Sequence, residues 1–309
     1  MKIKESFLDT MGTVDGTTKV LPERFAYKKI ELEQYTYHEN DNLPVIRAIV
    51  DNATDVLGEG NNVSCRKPDL LCEMLLLREK LSEKLFDALE KTQYLVNCLC
   101  QNQVDMIIKW CQKNGYPYQV EQKPPRKRKL TALANIAEDH YYAQFNLLDF
   151  LKDLNEIFCA FKLYQVITDS LSEQDYSIRI MKREHSSKYT NRELLVFETL
   201  ITKEPNDAEK ERCKALLFEK YNGRNFAMQL IPDQERMFVT EVQTKNLFDA
   251  AFYQLALLLD SPKTQIKQCP ICKRYFEPTR TNQKYCATEN EYGKPTCYAQ
   301  LLYKQRHPK

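Results

Sequence analysis

The chain has 309 residues, 43% of them hydrophobic and 28% charged, with a net charge of +2; this composition fits a globular protein with a sizeable core and excludes a disordered polar polymer. Only 7 glycines occur and neither GxGxxG nor GxxxxGK(S/T) is present, which disfavours an all-β sandwich and removes the glycine-rich phosphate loops. Charge is unevenly placed: residues 263–309 hold ten Lys/Arg against three Asp/Glu, a formal +7 that leaves −5 on the remainder, as expected if the C-terminal segment meets an acidic partner.

The opening residues MKIKESFLDTMGTVDG lack the apolar stretch of a signal peptide. The longest apolar run, Ala250–Leu259, is interrupted by Gln254 and falls short of the roughly 18 residues a membrane span needs. The expectation is a cytoplasmic protein with no membrane contact.

In chain order, Arg24–Tyr37 has weak strand character, and Leu43–Leu57 reads as a short helix. From Pro68, apolar residues at helical spacing run from Leu70 to Trp110, with a break expected near Lys80–Glu83 and a stop at Asn114-Gly115. The stretch Lys123-Pro-Pro-Arg-Lys-Arg-Lys129 reads as a linker, either a solvated connection or an arm that contacts nucleic acid. Thr131–Leu171 is expected to be helical; Glu138-Asp139-His140 near its start has no accompanying ligand motif and reads as surface. Tyr176–Met181 alternates like a strand, while Arg192–Thr202 and Asp207–Tyr221 look helical. Phe226–Ile231 and Arg236–Val242 read as two strands of a hairpin joined by Pro232-Asp233-Gln234-Glu235, and Lys245–Leu259 is an apolar helix. These elements divide the chain into a mainly helical region (1–122), a basic linker (123–129), a helical and mixed domain (130–262) and a cysteine-rich tail (263–309). The fold class expected is α+β, predominantly α-helical.

There are 11 cysteines. Seven of them, Cys65, Cys72, Cys98, Cys100, Cys111, Cys159 and Cys213, lie mostly among apolar residues of helix-like segments and read as reduced core thiols. The other four, Cys269, Cys272, Cys286 and Cys297, follow the spacing C-x2-C-x13-C-x10-C. Two residues between the first pair let one tight turn aim both sulfurs, and the turn's amides, at a single ion; two further thiolates complete a tetrahedron. The expected cofactor is Zn²⁺, with Lys267, Lys273, Arg274 and Lys284 offsetting the −2 of a tetrathiolate site. A helix from Cys297 onward, capped by Thr296, would stabilise the last thiolate. Four thiolates leave no open position for water, so a structural metal is expected rather than a hydrolytic one. A redox Cys-x-x-Cys should open a helix, which Tyr275-Phe276-Glu277-Pro278 does not resemble.

The tail, above all Ile266-x-x-Cys269-x-x-Cys272-x-x-Tyr-Phe276…Lys284-Tyr-Cys286…Thr296-Cys297, resembles uncharacterised bacterial proteins with an apolar helix and a C-terminal treble-clef-like zinc finger. It is more loosely similar to the CGNR-type zinc fingers of bacterial transcription regulators, although Tyr-Ala-Gln follows Cys297 here in place of Gly-Asn-Arg. The resemblance covers about a quarter of the chain and implies a treble-clef finger and a nucleic-acid-binding role.

Three functions compete. The first is a non-catalytic nucleic-acid-binding or regulatory protein, DNA or RNA being held by Lys273, Arg274, Arg280, Lys284, Lys304 and Arg306, with Tyr275, Tyr298 or Tyr303 available to stack on bases. The second is a protein-interaction adaptor or inhibitor, serving a mobile element, phage or defence system, in which the zinc is purely structural. The third is an enzyme, but no nucleophile–base pair, no motif-borne carboxylate pair and no small-molecule cofactor fingerprint is visible, so no catalytic residue is named.

Overall fold

The computed structural model describes residues 24–40, 43–50, 61–64, 68–89, 99–119, 141–170, 178–185, 193–201, 205–232, 234, 237–260, 266–280, 282–286 and 297–307. The basic run 123–129, the Glu138–His140 triplet, Thr296 and the thiols of Cys65 and Cys98 lie outside these residues.

Helix and strand are mixed, with strands arranged in four small sheets among the described residues. The chain begins with β1 (Arg24–Lys29), β2 (Glu33–Asn40), β3 (Leu43–Val50) and β4 (Asn61–Ser64). Then come α1 (Asp69–Lys80), α2 (Glu83–Leu89) and α3 (Gln101–Asn114), with the break before Glu83 and the stop at Gly115 where the sequence places them. Gly115 sits at φ +97, and a Cβ there would lie 2.9 Å from the Ile30 carbonyl oxygen. That same oxygen accepts from the Tyr116 amide at 2.7 Å, so both the backbone conformation and the close approach require glycine.

Three expected helices or parts of helices are strands instead. Leu43–Val50 is the central strand of a three-stranded sheet, β2-β3-β5, where β5 is Tyr141–Asn146. Its Val, Ile and Ala residues put Ile46 and Ala48 into the core from one face, and pairing on both sides outweighs the local pattern. β5 carries the start of what reads as a single long helix. Its last residue, Asn146, ends the strand and caps α4 (Leu147–Ile167), its side-chain oxygen accepting from the Leu148 amide at 2.8 Å. Glu193–Ile201 is strand β7, paired antiparallel with β6 (Ile178–His185); Val, Phe, Thr and Ile within it favour extended backbone once a partner is present.

The remaining elements are α5 (Asp207–Tyr221), the hairpin β8 (Phe226–Pro232) and β9 (Phe238–Thr244), and α6 (Leu247–Asp260). A capping box starts α5: Asn206 accepts from the Glu209 amide at 3.0 Å, and Glu209 accepts from the Asn206 amide at 2.8 Å. β9 pairs parallel with β1 and antiparallel with β8, which gives the four-stranded order β4-β1-β9-β8.

Helices α1, α4 and α6 pack on one another, and α6 also covers β1 and β9. A single apolar cluster runs from Phe25 to Tyr275, with Phe150, Phe161, Phe248 and Phe252 fully buried. α6 is buried on almost every side, and Gln254, which interrupts its apolar run, has a structural use: its side-chain oxygen accepts from the Leu71 amide at 2.8 Å. α1 has no side-chain cap of its own at Pro68, so Gln254 satisfies one of its otherwise unpaired first-turn amides. Cys72, Cys111, Cys159 and Cys213 are buried thiols, whereas Cys100 is exposed at the start of α3. No described helix is long and apolar enough to cross a membrane.

Candidate metal centre

After α6 the chain forms two two-residue strands, β10 (Lys267–Gln268) and β11 (Tyr275–Phe276), and then α7 (Cys297–Arg306). β10 and β11 pair antiparallel, Lys267 opposite Phe276 and Gln268 opposite Tyr275. The turn between them is the Cys269–Cys272 knuckle. It closes through the Lys273 amide on the Cys269 carbonyl at 2.8 Å and the Cys269 amide on the Arg274 carbonyl at 2.9 Å. Lys273 takes φ +59 to reverse the chain there, an uncommon conformation for a residue with a Cβ, held in place by those two bonds.

The third ligand is positioned by a small polar hub. Gln283 accepts through its side-chain oxygen from the Thr279 amide at 2.8 Å and the Thr279 hydroxyl at 3.0 Å, and its Nε2 donates to the Tyr285 carbonyl at 2.9 Å. This fixes the loop that presents Cys286. Cys297 comes from the first residue of α7, on the opposite side of the site in sequence.

The four sulfurs lie within 4.8 Å of one another. Cys272 Sγ is 3.5 Å from Cys286 Sγ, which is 3.6 Å from Cys297 Sγ. Four sulfurs at about 2.3 Å from a tetrahedral ion stand roughly 3.8 Å apart, so the separations fit a tetrathiolate metal site. None of the four is in a disulfide. Cys269, Cys286 and Cys297 are buried and Cys272 is exposed. Phe276 packs with the buried ligands, flanked by the half-buried Ile271 and Tyr285.

Burial opposes ionisation of Cys269, but backbone hydrogen bonds from Cys272, Cys286 and Ile271 outweigh it and bring the thiol down to about 7. Burial, and then the sulfur of Cys272 close by, push Cys286 and Cys297 up. A divalent cation held by the four sulfurs would reverse that penalty, since it would favour the thiolate over the protonated thiol. His307 is exposed at the end of α7 and lies outside the cluster. The Tyr275–Phe276 segment is a strand and opens no helix, so the redox reading of Cys269 and Cys272 lacks its structural setting.

The basic residues have varied surroundings. Lys273, Arg280, Lys284 and Arg306 are exposed, and Arg274 is half-buried. Lys304 lies on α7, its side chain outside the described set. Lys267 donates to the Gln283 carbonyl at 3.4 Å and so belongs to the hub. Tyr275 is buried against the body, its ring edge-on to Phe161 at 5.4 Å, which removes it from the residues able to stack on a ligand.

Two contributors are invisible in the sequence. Glu79, on α1, accepts from the Tyr275 hydroxyl and from Gln268 Nε2, and so ties the knuckle to the helical body across nearly 200 residues of chain. Gln283 could have been noticed only through its place between Thr279 and Tyr285. Comparison with protein-family models, curated proteins and solved structures gave no match to this chain.

Proposed function

We propose that the four thiolates hold one structural Zn²⁺, and that the finger they fold is the nucleic-acid-binding element of a non-catalytic, regulatory protein. The observation that carries this reading is the convergence of four sulfurs in a segment that also exposes Lys273, Arg280, Lys284 and Arg306. Thiolate ligands select zinc or iron–sulfur chemistry among common metals, and a filled first shell leaves no site for a metal-bound water. Exposed cations on a rigid, metal-held surface are what phosphate contacts require. The basic C-terminal charge set against an acidic remainder supports the same orientation.

The test combines metal analysis with binding. One zinc per chain and affinity for nucleic acid that falls steeply as salt rises are the expected results. An iron–sulfur absorption spectrum, or a salt-independent response, would defeat the reading.

A second reading, a protein-docking adaptor or inhibitor with the same structural zinc, is favoured by β8. It is a terminal strand of its sheet, and Met228 and Leu230 on it are 54% and 63% exposed. A stoichiometric protein partner that survives nuclease treatment would select this reading over the first.

A further inference from the structure

The finger's exposed surface carries aromatic rings as well as cations. Tyr298 is 51% and Tyr303 is 66% exposed. Tyr298, next to the ligand Cys297, lies 5.5 Å from Tyr285, which is next to the ligand Cys286. Five residues further along α7, Tyr303 lies 4.7 Å from the exposed ring of His307. Two ring pairs therefore flank α7, one anchored on the metal ligands and one near its C-terminal end, with Lys284 beside the first and Arg306 beside the second in sequence.

Rings left this exposed contribute little to the fold, since most of their apolar area remains in water. They are large, stiff and polar at the tip, the properties of a stacking platform. Base stacking on such platforms, combined with phosphate contacts from nearby cations, is how single strands are held without sequence readout. The geometry favours a single strand over a duplex for a second reason. Tyr298 and Tyr303 are five residues apart, so they stand about 140° apart around the helix and about 7.5 Å apart along it. A ligand engaging both must cross over α7. A flexible single strand can follow that path with its bases unstacked, whereas a duplex is stiff over about 50 nm and keeps its base faces inside.

We infer that Tyr298 and Tyr303, on two sides of α7 and accompanied in sequence by Lys284 and Arg306, bind a single strand of nucleic acid that crosses the helix and stacks bases on the two rings. This rests on the nucleic-acid reading above and narrows it to one class of ligand.

The experiment uses the full-length, metal-loaded protein and fluorescence anisotropy at low salt with three labelled probes: a 20-nucleotide DNA strand, an RNA strand of the same sequence, and the 20-bp DNA duplex. The expected result is tighter binding to one or both single strands than to the duplex, by five-fold or more. Tyr303→Ala should weaken single-strand binding by roughly five-fold or more, Tyr303→Phe should retain it, and metal content and thermal unfolding should stay unchanged in both. The DNA and RNA arms identify which strand is the ligand. Equal or tighter duplex binding, or indifference to Tyr303→Ala while Lys284→Ala weakens binding, overturns the inference and leaves the nucleic-acid reading standing. Binding to none of the three probes overturns both.

Discussion

The helical body and the cysteine-rich tail face the same problem with different means. The body buries large side chains from α1, α4 and α6 around Phe150, Phe161, Phe248 and Phe252, so its stability comes from apolar area removed from water. The cysteine-rich tail has two strands of two residues each and a small cluster in which three of the four buried members are cysteines of the candidate metal site and the fourth is Phe276. So little apolar burial cannot offset the conformational entropy of ordering the segment, and an ion bound by the proposed site would supply the difference. The body should therefore be indifferent to metal, and the finger dependent on it.

The largest expected effect follows directly. Structural zinc sites in small fingers contribute about 10–16 kcal/mol at neutral pH, so exhaustive chelation, or Cys286→Ser, should abolish protection of the amides in 266–286 and 297–306. Hydrogen exchange followed by mass spectrometry reads this peptide by peptide. Protection in Leu147–Ile167 should persist. If those amides open together with the finger, the two regions form one cooperative unit and the contrast is lost.

The complementary perturbation should damage the body and spare the finger. Arg224 Nη2 lies 2.6 Å from Glu156 and Nη1 lies 3.6 Å from Asp249, with the guanidinium 4.0 Å over the Phe252 ring. The Arg224 and Glu156 side chains are each 13% exposed and that of Asp249 only 3%. Burial raises the Asp249 carboxyl, and the Arg224 guanidinium acts against that rise. Arg224→Ala removes the guanidinium from both carboxylates, and breaking a buried ion pair typically costs about 3–5 kcal/mol. Urea unfolding should show a loss of that order while metal stoichiometry stays at its wild-type value. Loss of metal in this variant would mean that the finger reads the state of the body.

How much of this was legible in the sequence depends on where the determining partner lies. The finger's ligands are close in the chain, and one turn geometry dictates the Cys269–Cys272 spacing, so all four cysteines could be read and all four converge. The helices with local signals were equally readable: the span Asp207–Tyr221 of α5, the Gly115 stop of α3 and the apolar run of α6 lie where the pattern puts them. Leu43–Val50, Tyr141–Asn146 and Glu193–Ile201 were misread as helix because strand identity depends on a partner. For β5 that partner is nearly 100 residues distant, as in the pairing of Phe145 with Ile46, whereas β3 also pairs with β2 just before it. Gln254 was read as a flaw in an apolar stretch because its acceptor role appears only when Leu71 is brought beside it. The parallel pairing of β1 with β9 joins the two ends of the body and has no local signature at all.

The smallest expected effect tests the seam between the two regions. Glu79 is an exposed residue near the end of α1, yet it accepts from both the Tyr275 hydroxyl and Gln268 Nε2, one residue before the first metal ligand. Tyr275 is itself buried against Phe161, so its ring docks by apolar contact and Glu79 supplies only the polar end. A hydrogen bond to a partly solvated carboxylate contributes about 1 kcal/mol. Glu79→Ala should therefore loosen the finger on the body without releasing metal. The readout is faster exchange at Lys267–Phe276 with unchanged exchange in Leu247–Asp260. Tyr275→Phe keeps the ring and removes the hydroxyl, so it should reproduce most of the effect, and the double variant should add little to either single one. If the two single effects simply add, Glu79 and the Tyr275 hydroxyl act independently, and the bond between them is not what couples the two regions.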